Sequence, residues 1–171
     1  MALVTKEYYK ALFDYHYTIM DHLWGCIIDL SEEQYTRELD YSVGSIQTHC
    51  QHMLATEDFW LTGLTGGVVT YPDLTTLPRE TLRAKWQGVK EDMYAYLDTL
   101  DWAALDEDIQ HPAAVDQELK CKRWEILTQL INHATDHRAQ ILAGIHHLGG
   151  RTFQQDYIIY AYRRNGYDFS Y

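Results

Sequence analysis

Four long stretches in which apolar side chains return every three or four residues restrict this chain, before anything else, to a packed set of helices. The first covers residues 6–30, where Leu12, Phe13, His16, Ile19, Leu23, Trp24 and Ile27 share a face. The second covers 43–64, with Ile46, Cys50, Met53, Glu57, Trp60 and Leu64 in its stripe and Ser42 or Ser45 as its N-cap. Gly63, Gly66 and Gly67 end it. The third covers 79–100 and opens at Pro78, a residue that forfeits no useful hydrogen bond in a first turn. The fourth covers 123–148 and stops at Gly149 and Gly150.

Shorter features connect them. Ser31 and Gln34 have the spacing of a capping box, so a turn is expected there. Residues 65–77, with Pro72, read as a loop. Between 101 and 122 the helical pattern fails, and Pro112 with the 119–123 run predicts a short hairpin or an irregular crossover. A last short helix is expected over 154–164, followed by the aromatic tail 167–171. None of the four long amphipathic segments can hide its apolar face alone, so the expectation is an all-α four-helix bundle forming a single domain over 1–171.

Composition narrows the setting. Hydrophobic residues make up 46% and charged residues 23%, as in globular chains, and no apolar run approaches the ~18–20 residues a membrane span needs. The first ten residues lack a basic region followed by an apolar stretch, so a cytoplasmic protein without a signal peptide is expected. A formal charge of −11, from 14 Lys and Arg against 25 Asp and Glu, would repel a phosphate backbone, and nucleic acid is not an expected partner. Cys26, Cys50 and Cys121 are odd in number and widely spaced, which fits reduced thiols packed as small hydrophobes.

Nine histidines in 171 residues direct attention to metal chemistry, because imidazole is the commonest metal ligand at neutral pH. His133 and His137 are the most informative pair. Residues four apart on a helix lie about 40° apart around the axis and about 6 Å along it, so both rings can converge on one ion. They fall on the buried face between Leu130 and Ile141, although the same spacing is met by packed histidines that bind nothing. A site in a bundle needs a third ligand from a facing helix. His49 and His52 both qualify, His49 nearer the centre of the apolar stripe and His52 at its edge, and spacing alone does not choose between them.

Other residues carry weaker signals. His16 on the first stripe reads as a hydrogen-bonded core histidine, His22, His146 and His147 as exposed or helix-terminal, and His111 as a loop residue. Glu57 points away from His52 and reads as a structural carboxylate. Asn132 and Asp136 flank the histidine pair, where either could orient a ring by accepting its second N–H. Trp24, Trp60 and Tyr96 read as core.

Two motifs together resemble the signatures of the DinB/YfiT-like family. Ser45-Ile46 followed by His52, Glu57 and Trp60 is similar to its second-helix signature. His133 followed by His137-Arg138-Ala139-Gln140 is similar to its fourth-helix signature, with Ala139 where glycine is usual. The stretch from Asp156 to Tyr160 is also similar, so the likeness runs through the whole chain. The resemblance implies a four-helix bundle with one long crossover and a short C-terminal helix, and one divalent metal ion held by His52, His133 and His137. Zinc or nickel is expected first, iron or copper being alternatives. It further implies a homodimer, joined through a helix pair and the tyrosine-rich tail. The implied activity is that of a metal-dependent hydrolase or low-molecular-weight-thiol transferase acting on a small molecule. The alternative is a non-catalytic metal-binding or stress-related sensor protein.

Overall fold

A computed structural model of the chain describes residues 5–101, 103–114 and 118–168. The aromatic tail expected to help join two copies runs past them, since 169–171 lie outside the described residues. Each helix begins where the sequence supplies a partner for its unpaired N–H groups. The Thr5 hydroxyl accepts from the Tyr8 N–H at the start of α1 (Lys6–Ile28). The expected capping box is present, and it opens a true short helix, α2 (Glu32–Thr36): Ser31 accepts from Gln34 N–H while the Gln34 side chain accepts from Ser31 N–H.

The helix expected from residue 43 starts later, as α3 (Ile46–Leu64). Ser42 and Gly44 have φ of 56° and 97°, left-handed values that cannot continue into a right-handed helix, so Ser45 is the cap and accepts from Thr48 N–H. Next come α4 (Arg79–Thr99), a 3₁₀ turn (Ala103–Asp106), and an antiparallel hairpin of β1 (Asp108–Gln110) and β2 (Lys120–Lys122). α5 (Arg123–His147) follows directly, and α6 (Tyr157–Arg164) closes the chain. α6 begins three residues later than the sequence pattern predicts, after Gln155, whose polar groups are taken up by α1 and α5. The Gln155 carbonyl accepts from the Tyr15 hydroxyl, and its side chain accepts from Arg138 Nε at 3.0 Å.

The four long helices form a ring in which α1 touches α4 and α5, and α3 touches the same two. Their directions follow from end contacts. Arg79, at the start of α4, donates to the carbonyl of Ile27 in the last turn of α1 and to that of Leu30 just past it, so α1 and α4 are antiparallel. Tyr9 donates to the Trp124 carbonyl, placing the beginnings of α1 and α5 together. Arg123 donates to the Leu64 carbonyl at one end of the α3–α5 seam. At the other end a Cβ on Gly144 would meet Ile46 Cδ1 at 2.8 Å, so the start of α3 packs closely on the end of α5 and a side chain there would push Ile46 aside.

α3 and α5 are therefore antiparallel, while α3 and α4 run parallel, so that Asp58, Leu61 and Thr65 of the α3 end line one cleft with Asp92, Tyr96 and Thr99 of the α4 end. The expected long crossover is the 65–78 loop, which returns the chain along the bundle before α4 begins. Phe13, Leu23, Ile27, Ile46, Leu82, Met93, Leu97, Leu127, Ile141 and Ile145 fill the interior, each 0% exposed. Among the described residues no helix is long and apolar enough to cross a membrane. Trp24, Trp60 and Tyr96 belong to this core or pack against it, as the sequence pattern predicts.

Candidate metal centre

The antiparallel seam between α3 and α5 sets His52 level with His133 and His137. The three imidazoles stand together, ring centroids 4.4–5.0 Å apart, and one nitrogen from each lies within 4.8 Å of the others. His52 Nε2 and His133 Nε2 are 3.0 Å apart. Two nitrogens bound at 2.0–2.1 Å to one ion would stand about 3.3 Å apart in tetrahedral geometry and about 2.9 Å at a right angle. The donor set therefore fits a first-row divalent ion. His137 is 7% exposed, while His52 and His133 are half-buried, so the cluster is reached from the surface.

All three rings resist protonation. Burial lowers His133 to about 4, the positive charges His137 and His52 would carry adding to the effect against a weaker pull from Asp136 and Glu57. His52 is lowered by burial, and His137 by burial and then His52. Neutral imidazoles are what a metal requires. Among the described residues no fourth histidine, cysteine or carboxylate joins the group.

His49, the other candidate on α3, lies behind the cluster. It is 1% exposed, and its Nδ1 is 3.2 Å from His137 Nδ1. Burial, then His137 and His52, lower it to about 4. Asn132 and Asp136 are exposed, and among the described residues neither hydrogen-bonds a histidine of the trio; Asp136 acts through its charge. Ala139 is exposed too, so the departure from glycine obstructs no packing within the chain.

Beneath the trio lies a polar chain that the sequence pattern reveals only in part. Arg138, 0% exposed, donates from Nη1 to His16 Nδ1 at 2.5 Å and from Nη2 to Thr135 Oγ1 at 3.0 Å. A guanidinium only donates, so His16 Nδ1 accepts and the His16 proton sits on Nε2, directed at Glu57 Oε2 3.3 Å away. The Tyr17 hydroxyl donates to the other Glu57 oxygen. His16 and Glu57 thus have the core roles expected of them. Arg138 was visible in sequence only as part of a motif, yet it stands four residues after Ala134 and three before Ile141, both buried, which marks it as inward-facing.

The remaining histidines do not join the site. His22, His146 and His147 are exposed, and His111 packs its ring on Phe59 and Trp60, centroids 5.5 and 5.1 Å away. The three cysteines are free. Burial raises all three thiols, Cys50 to about 12, which is the reverse of an activated nucleophile.

A helical bundle with a parallel middle pair and three histidines gathered from two facing helices defines a class of protein able to hold a divalent metal ion between its helices. The sequence profile of the DinB family matches residues 4–166, and the chain belongs to that family. Among solved structures, a DinB-like protein from Bacillus cereus ATCC 10987 is similar, with a TM-score of 0.69 at 15% identity, over 88% of this chain and 97% of that one. At that identity the likeness speaks for the fold alone. No curated protein matches the sequence.

Proposed function

We propose that the chain acts as one metal-binding domain in which His52, His133 and His137 hold a single divalent ion, zinc or nickel first, and that the loaded protein is an enzyme acting on a small molecule. The observation that carries this reading is the trio itself: three neutral imidazoles from α3 and α5, reached from the surface, with no fourth protein donor among the described residues. Three histidines and a free position are the composition of catalytic rather than structural zinc sites. An ion so held would supply Lewis acidity to a water or thiol beside it.

The chain's own groups have distinct tasks. The three histidines bind, Asp136 contributes negative charge at the exposed side, and the Arg138–His16–Glu57 chain fixes α1, α3 and α5 relative to one another. With every cysteine thiol raised by burial, the nucleophile comes from outside the chain, as water in a hydrolase or as a low-molecular-weight thiol in a transferase. A homodimer is part of the proposal on the ground of family likeness.

Elemental analysis of the native protein, repeated on His52→Ala and His137→Ala, tests the site. One ion per chain, lost in both variants with the helical spectrum retained, is the expected result. Assay of the loaded protein with activated esters, amides and thiol–electrophile pairs then tests catalysis. Full metal occupancy without turnover on any of them would favour the sensor reading.

A further inference from the structure

We propose that His49 is a positioning residue for the metal centre: it sets the tautomer and the angle of the His137 ring from behind. The inference rests on the metal-binding reading above. The observation is the 3.2 Å separation of His49 Nδ1 and His137 Nδ1 inside the protein, where His49 is 1% exposed. At this distance one ring donates and the other accepts.

Only one assignment lets His137 hold an ion. With Nδ1 given to His49, Nε2 is the nitrogen His137 has left for an ion, so Nε2 must carry a lone pair and Nδ1 the proton. His137 then donates and His49 Nδ1 accepts, with the His49 proton on Nε2. The opposite assignment protonates His137 Nε2 and removes it from the donor set. His49 therefore does for His137 what a carboxylate or carbonyl does in many metal sites. It does so without adding a charge of its own. Neither His52 nor His133 has such a partner among the described residues; their Nε2 atoms face each other at 3.0 Å. Position along α3 explains the division of labour. His49 precedes His52 by about one turn, and both face α5, so one ring reaches the cluster while the other backs it.

Four variants of the full chain separate this role from others. An asparagine amide hangs from the same carbon as imidazole Nδ1 and can place an acceptor there; a glutamine amide sits one bond further out, and leucine offers none. Zinc affinity, measured by competition with a colorimetric chelator, is expected to stay near that of the unmodified protein in His49→Asn. It is expected to weaken about 10- to 100-fold in His49→Gln and His49→Leu, at an unchanged one ion per chain. In zinc-loaded, 15N-histidine-labelled protein, the His137 Nδ1–H resonance should be protected from exchange in the unmodified chain and in His49→Asn, and lost in His49→Gln.

Equal affinity in all three His49 variants, or equal weakening in Asn and Gln, overturns the proposal and leaves the trio intact. Loss of stoichiometric zinc in every His49 variant overturns it by making His49 a ligand. His52→Ala is the separate control: if it binds zinc as the unmodified chain does, or if the unmodified chain binds none, the metal-site reading itself falls and this inference with it. If His49→Leu does not fold, the Asn–Gln comparison decides.

Discussion

A guanidinium with none of its surface exposed has to find all its partners inside the protein, and Arg138 finds them on three elements: Thr135 on its own helix, Gln155 before α6, and His16 on α1. Through His16 it faces the buried carboxylate of Glu57, so removing the cation strands an anion in the core. Arg138→Leu is expected to cost about 3 kcal/mol or more, the usual penalty for breaking a buried charge pair from one side. Chemical denaturation measures it, and Arg138→Leu combined with Glu57→Gln should cost less than the two single losses added. A loss below about 1 kcal/mol for Arg138→Leu would mean the network carries little of the stability. Of this chain, sequence shows the inward stripe positions of His16, Glu57 and Arg138 but not their pairing, because pairing across helices depends on rotation and register that no single helix encodes. The same limit explains His49 and His52. Both face α5, and which ring reaches the cluster and which backs it is decided by the seam between helices, so the family motif was needed to choose His52.

At the scale of elements, periodicity located the four long helices because a 3.6-residue repeat is a property of each segment by itself. The ends were less legible. α3 starts at Ile46 rather than 43 because Ser42 and Gly44 are left-handed, and α6 starts at Tyr157, past the Gln155 that α1 and α5 bind. The failure of the helical pattern over 101–122 did point to the β1–β2 hairpin. The ring order and the parallel α3–α4 pair were not readable from spacing; the likeness to a known family implied a crossover, and end contacts locate it at 65–78. The cap of α3 offers a clean test. Ser45 is the hydroxyl that accepts from Thr48 N–H, so Ser45→Ala should cost about 1 kcal/mol and lower the melting temperature by roughly 2–4 °C. His52 lies two turns further in, so zinc affinity should hardly change. A large loss of affinity would show that the first turn of α3, and not its interior, holds His52 in place.

Across the whole molecule, the three histidines belong to two helices that are far apart in the chain, with the crossover, α4 and the hairpin between them. An ion held by all three therefore joins the second long helix to the last, and it binds the folded chain only. Stability then rises with free metal by mass action: at 100 times the dissociation constant the gain is about 2.7 kcal/mol, or roughly 5–10 °C in melting temperature for a chain of this size. Protons compete for the same nitrogens, and the direction is set by the shifts. His49 and His133 fall from 6.5 in the open chain to about 4 in the fold, so on acidification the unfolded chain takes up protons first. The metal-free protein should hold its stability as the pH falls from neutrality to about 6.5 and lose it between there and about 4. The gain from zinc should shrink through that window, because protonated imidazole cannot ligate. Calorimetric melts with and without zinc, from neutral pH down through the window, measure both effects. In His137→Ala the zinc gain should be largely gone at every pH, while the acid loss due to His49 and His133 remains in part. Equal melting temperatures with and without zinc near neutrality would mean that the three rings, though close, do not act together on an ion.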